Sequence, residues 1–174
     1  MLIILGVAAV LVVLILIFAA AQPDTFVVQR KAVMKAPAKK IFAYFNDFKT
    51  WNKWSPWEKI DPAMKKAYSG KAKGVGSVYA WEGNKQIGQG RMEIIEASAP
   101  TQLNIKLDFF KPFEAHNLTT FTLEPSGKST EVSWTMRGPS KFMMKVMHLF
   151  MNMDKMVGKD FEKGLAQLKS LVEK

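Results

Sequence analysis

The 174-residue chain contains no cysteine. That excludes a disulfide framework, thiolate metal sites and a cysteine nucleophile. Histidine is scarce as well: His116 and His148 lie far apart, without ligand-like neighbours. The sequence holds no HExxH, GxSxG, GxxxxGKS/T or GxGxxG run, the signatures of zinc proteases, serine hydrolases, P-loop enzymes and dinucleotide-binding units. Neither a metal nor a cofactor is expected. Residues 1–21, MLIILGVAAVLVVLILIFAAA, lack charge and proline, and all 25 Lys/Arg and 15 Asp/Glu residues follow them.

A helix of that length is about 31 Å long, close to the roughly 30 Å hydrocarbon core of a bilayer. Residues 1–21 are therefore expected to be a single transmembrane anchor. The alternative is a cleaved signal peptide, for which Ala19, Ala20 and Ala21 offer small residues. Against it, the segment has no basic start, and its apolar core exceeds the 7–15 residues usual for such peptides. A buried core helix fits less well, because no polar face exists. Arg30, Lys31, Lys35, Lys39 and Lys40 follow with only Asp24 opposing them, which favours a domain on the cytoplasmic side.

Residues 22–24 form a linker, with Pro23 ending the helix. Residues 25–174 suffice for one domain with its own core. A net charge of +10 points to an acidic neighbour. Anionic lipid is the nearest candidate beside an anchor, and no nucleic-acid-binding motif is present. Protein partners are not legible.

Thr25–Met34 alternates and is rich in β-branched residues, so it is expected as a strand. Pro37 opens a short helix whose Ile41, Phe42, Phe45 and Phe48 share a face. Trp51, Trp54 and Trp57 follow within seven residues, closed by Pro56, and fit neither a regular helix nor a central strand. Strands are then expected near 66–69, 77–82, 87–97, 102–110, 114–123 and 130–137, separated by Gly, Pro and Asn turns. Residues 140–174 carry one apolar stripe from Val146 to Val172 and are expected to be one long helix. The fold class is α+β: an antiparallel sheet of about seven strands curved around the C-terminal helix, preceded by the anchor. A sheet gripping a helix tends to leave a cavity between them.

Three stretches carry a resemblance: 45–57 (FNDFKTWNKWSPW), 74–84 with 88–94 (GVGSVYAWEGN, GQGRMEI) and 130–138 (TEVSWTMRG). With the element order, they resemble the START/SRPBCC superfamily of polyketide cyclase/dehydrase and lipid-transport proteins, which have the helix-grip fold. The similarity is greatest to bacterial proteins with one N-terminal span and a single such domain. It implies an inner-membrane protein with an apolar pocket for a lipid, an isoprenoid or a polyketide-like molecule. It does not choose among carriers, cyclases and partner-binding members.

Strand alternation supplies the candidate lining. Tyr79 and Trp81 share a face, as do Leu107 and Phe109, and Trp134 and Met136; Phe121 lies on a further strand. Trp54 and Trp57 are candidate lid residues, or else plugs for the end of the core. Met147 and Phe150 come from the methionine-rich helix, whose flexible side chains suit an adaptable wall or simply fill a core. Catalysis has little behind it; His116 with Asp108 or Glu114 is the one acid/base grouping. The expected function is membrane-anchored binding of a hydrophobic small molecule. The alternatives are a cyclase/dehydrase-type enzyme and a protein-interaction module without ligand.

Overall fold

The alternating run Thr25–Met34 becomes β1, one of seven strands in a single antiparallel sheet. The others are β2 (Lys65–Gly70), β3 (Ser77–Glu82), β4 (Gln89–Ser98), β5 (Gln102–Lys111), β6 (Ala115–Ser126) and β7 (Ser129–Pro139). The computed structural model describes residues 2–150 and 152–174; the side chains of Leu2, Ile3, Leu5, Ala8, His148 and Phe150 lie outside the described set. The spatial order is β1-β7-β6-β5-β4-β3-β2. Six strands thus form a meander joined by short turns, as close sequence spacing dictates, and β1 closes on β7 in register from Thr25↔Pro139 to Met34↔Thr130. Register shifts at Gln89/Gly90 and Ile94/Glu96 in the β4–β5 pair are irregularities of the kind that bend a sheet.

Between β1 and β2 the chain crosses to the far edge of the sheet through α2 (Ala38–Phe45) and two 3-10 turns, Phe48–Lys53 and Pro56–Lys59. Pro37 precedes α2, and the Asp47 side chain accepts from the Lys49 N–H to start the first turn. These elements bury Phe45, Phe48, Trp51 and Trp54 against the sheet. Phe45 stacks on Phe121 at 4.0 Å, and Trp54 meets Phe45 edge-on.

The helix expected over 140–174 is two helices, α3 (Phe142–Phe150) and α4 (Met153–Val172). Asn152 adopts an extended conformation, and its side chain accepts from the Lys155 N–H. This N-cap gives α4 its own start. The apolar stripe runs on through the break while the two helices meet different neighbours: α3 lies beside the N-terminal helix and α4 across β1. Gly158 lets the Arg30 guanidinium cross α4, where it binds Asp154 at 2.8 Å and Glu162 at 2.6 Å. Gly164 lets α4 settle on the Trp134 ring.

The N-terminal helix α1 covers Leu2–Ala20. Among the described residues no helix is long and apolar enough to cross a membrane. The expected transmembrane anchor over 1–21 is therefore not reproduced as such. What the fold shows is a charge-free helix whose described side chains are exposed, except Ala19. The linker behind it is pinned: Lys145 binds Asp24 at 2.7 Å, and the Ser140 N–H donates to the Asp24 carbonyl.

Candidate functional site

On the concave face β6 presents Asn117, Thr119, Phe121 and Leu123 inward, and β7 presents Val132, Trp134 and Met136. This face is filled unequally. Toward the end of the sheet where β1 finishes, α2 and the first 3-10 turn pack it solid. Toward the end where β1 begins, the first half of α4 and the second 3-10 turn leave a cavity of about 220 Å³.

Seven of the sequence-derived residues meet there: Trp57, Tyr79, Trp81, Leu107, Phe109, Trp134 and Met136. The structure adds Trp51, Met64, Met92, Val157 and Phe161 to the apolar wall, and Ser55, Glu58, Thr119 and Asp160 as polar groups. Aromatic rings brace one another around it. Trp134 stacks on Phe161 at 4.0 Å with planes 7° apart. Trp57 meets Trp134 edge-on at 5.7 Å, and Trp81 meets Phe109 edge-on at 5.8 Å. Gly90, opposite Trp81 on β4, is what lets that ring lie flat: a Cβ there would stand 2.4 Å from the Trp81 ring.

Three expected lining residues fall elsewhere. Trp54 and Phe121 are fully buried in the solid part of the core, in contact with Phe45. Sequence alternation assigned them the right face but could not say which end α2 covers. Met147 sits half-buried on α3, away from the cavity wall, because the chain turns at Asn152. The Phe150 side chain lies outside the described residues.

Glu58 was not legible as a site residue, since a four-residue 3-10 turn has no periodicity to read. It is the best-connected polar group of the cavity. Its carboxylate accepts from the Tyr79 hydroxyl at 2.7 Å and from Lys66. Burial pushes the Tyr79 phenol well above its ordinary range, and the bond to Glu58 adds to the shift. Tyr79 therefore stays a neutral donor. Among the described residues the Trp134 indole N–H is buried without a hydrogen-bond partner. A buried donor left unmet costs about 1–3 kcal/mol, so the wall retains unused hydrogen-bonding capacity.

The acid/base grouping predicted from sequence does assemble, but on the other face. His116 Nδ1 lies 2.7 Å from Asp108 Oδ1, and Nε2 lies 3.1 Å from Glu114 Oε1. Leu107 and Phe109 point into the cavity, so alternation turns Asp108 away from it. The His116 side chain is half exposed. Hydrogen bonds to Asp108 and then Glu114 hold its pKa above 6.5. Burial would raise the Asp108 pKa, but the His116 and Lys106 hydrogen bonds outweigh it and hold the carboxyl below its usual value. This is a cross-strand ion pair on the opposite face of the sheet, with Asp108 buried and His116 half exposed. Among the described residues no group of three or more His, Asp and Glu is placed to hold a metal.

A seven-stranded antiparallel sheet curved around a long C-terminal helix, with an aromatic cavity between them, defines an α+β protein of helix-grip architecture. The chain belongs to the polyketide cyclase / dehydrase and lipid transport family, whose family model matches residues 25–173. Among solved structures, protein CV1439 from Chromobacterium violaceum is 18% identical, with a TM-score of 0.61 over 88% of this chain and 99% of that one. A protein from Nitrosospira multiformis is 17% identical, with a TM-score of 0.60 over 84% of this chain and 96% of that one. DynU16, a protein in the dynemicin biosynthetic locus, is 14% identical, with a TM-score of 0.55 over 87% of this chain and 48% of that one. At such identities the likeness concerns the fold alone. No curated protein matches the chain.

Proposed function

We propose that the protein binds a small hydrophobic molecule in the cavity between the sheet and α4, at a membrane. The observation that carries this is the cavity itself, walled by seven aromatic side chains and entered by a few polar groups, the composition of small-molecule sites in general. Its size narrows the ligand. A cavity of about 150 Å³ admits benzene, so 220 Å³ suits one or two rings or a short branched chain. A complete diacyl lipid does not fit inside. Apolar burial at about 25 cal/mol per Å² supplies affinity, and the Tyr79–Glu58 pair, Ser55, Thr119 and the Trp134 N–H orient a polar substituent.

Membrane attachment through residues 1–21 is part of the proposal, with 22–24 as linker and 25–174 as the ligand-binding domain. Its support is the run of exposed apolar side chains on α1, from Ile4 at 74% to Phe18 at 60%, on a helix without a charge. Such a surface needs a cover. The lysines after it favour the cytoplasmic side of a bacterial inner membrane. Attachment would keep the cavity close to a membrane-borne ligand and raise its effective concentration.

A cyclase-type reaction is the second reading, favoured by Glu58 in the cavity wall between a phenol and an ammonium. Native mass spectrometry of the full chain in lipid nanodiscs, with solvent extraction of what it carries, tests the main reading. A stoichiometric apolar molecule small enough for the cavity is the expected result. A chain that stays empty after exposure to membrane extract overturns it.

A further inference from the structure

The seven strands give the domain two ends. One gathers the start of β1, the end of β7, the β5–β6 turn and the β3–β4 loop; the register places Thr25 beside Pro139, Phe109 beside Ala115, and Glu82 beside Gln89. α1 enters at this end through three residues, 22–24, which reach about 10 Å at most. The β5–β6 turn lies three strands away, roughly 14 Å sideways at about 4.8 Å per strand. If α1 enters a bilayer, this end has no room to turn away from it.

The β5–β6 turn is built for such a place. Phe113 at its tip is 72% exposed and Phe110 47%. Lys111 beside them and Lys85 in the neighbouring loop are exposed and have no ion pair among the described residues, whereas Glu114 is engaged by His116. Lys65 and Lys141 add exposed positive charge at the same strand ends, against Glu82 and Asp61, whose carboxylate accepts from the Asn84 N–H of the β3–β4 loop; Asp24 is neutralised by Lys145. The turns at the opposite end, 71–76, 99–101 and 126–129, expose one large apolar side chain, Val75. The cavity also lies toward the α1 end, with Ile87, Gln86 and Phe109 in its wall.

We infer that this strand end is a lipid-contact surface, with the β5–β6 turn placing Phe113 among anionic headgroups and the cavity beside it. Aromatic rings favour the interface between headgroup and hydrocarbon, and lysines next to them meet the negative surface. The inference rests on membrane attachment through α1.

The absence of cysteine makes the test clean, since Phe113→Cys creates a single thiol for an environment-sensitive dye. The full chain, labelled there or at Ser126→Cys on the opposite end, is reconstituted into phosphatidylcholine vesicles with or without phosphatidylglycerol. Vesicle flotation and dye emission are then read together. The expected result is that both proteins float, and that the dye at 113 shifts to the blue and brightens several-fold, more so with phosphatidylglycerol, while the dye at 126 stays water-like. Flotation with water-like emission at both sites overturns the lipid-contact surface and leaves attachment standing. Shielding at 113 without lipid, dependent on protein concentration, overturns it in favour of a protein contact. Failure to float removes attachment and this inference together, without touching ligand binding in the cavity.

Discussion

The two halves of the concave face are made of the same kinds of residue and do opposite things. In the solid half, Phe45, Phe48, Trp54 and Phe121 pack into one another under α2 and the first 3-10 turn. In the hollow half, Trp57, Trp81, Phe109, Trp134 and Phe161 hold a cavity open. Aromatic content therefore does not decide between core and pocket. What decides is the covering element: α2 sends large side chains down into the sheet, whereas α4 approaches through Gly164 and offers Val157 and Phe161. Rings braced edge-to-face and in stacks are stiff enough to keep a gap that aliphatic side chains would close.

The largest expected effect separates the halves directly. Phe121→Ala removes a fully buried ring at the centre of the solid half, packed against Phe45, Trp54 and Trp134. It should cost about 3–5 kcal/mol in urea unfolding. Trp57→Ala removes a half-buried ring at the cavity wall and should cost clearly less in the same assay, while weakening uptake of a ring-containing ligand about tenfold or more, roughly 1.4 kcal/mol. Equal stability losses, or unchanged uptake in Trp57→Ala, would break the contrast between core and site.

A smaller effect sharpens the hollow half. Tyr79→Phe keeps the ring and its stacking on Tyr68 but removes the hydroxyl that Glu58 accepts. A single hydrogen bond of this kind is worth about 1 kcal/mol, so the unfolding midpoint should fall modestly. Because Glu58 then loses the Tyr79 hydroxyl and keeps Lys66, the ligand's polar substituent should lose orientation. A ligand whose affinity for Tyr79→Phe is unchanged does not use this pair.

The strand pattern made the fold readable. Alternation in β3, β5, β6 and β7 gave both their positions and the side chains that share a face, β1 was readable as a strand, and the turn residues at Gly74, Gly83, Gly127 and Pro139 marked their ends. The sheet-facing stripe of α4, with Phe161, Leu165, Leu168 and Val172 buried, was equally clear. The break at Asn152 was not, because an apolar stripe continues across it and a polar residue between methionines carries no period. The cavity was half legible. Strand residues on its wall follow the period of two, but Glu58, Ser55 and Met64 come from irregular chain whose placement depends on the packing of Pro56 against Gly164. Trp54 and Trp57 looked equivalent in sequence, and the extended Ser55 between two 3-10 turns sends one into the core and the other to the cavity.

The smallest expected effect tests the remaining contrast, between the concave cavity and the convex His116 cluster. With its pKa raised by Asp108 and Glu114, protonated His116 favours the folded state. That contribution is complete below about pH 6.5, the unfolded value, and fades as pH rises through the higher folded value. The side chain is half exposed, so solvent screening keeps the effect small. An NMR titration of the His116 ring should give a midpoint above 6.5 that falls back toward it in Asp108→Asn. Ligand uptake in the cavity should not change across that titration. A ligand affinity that follows the His116 midpoint would place the cluster in the working site after all, and would return the acid/base reading to a residue that the sheet turns outward.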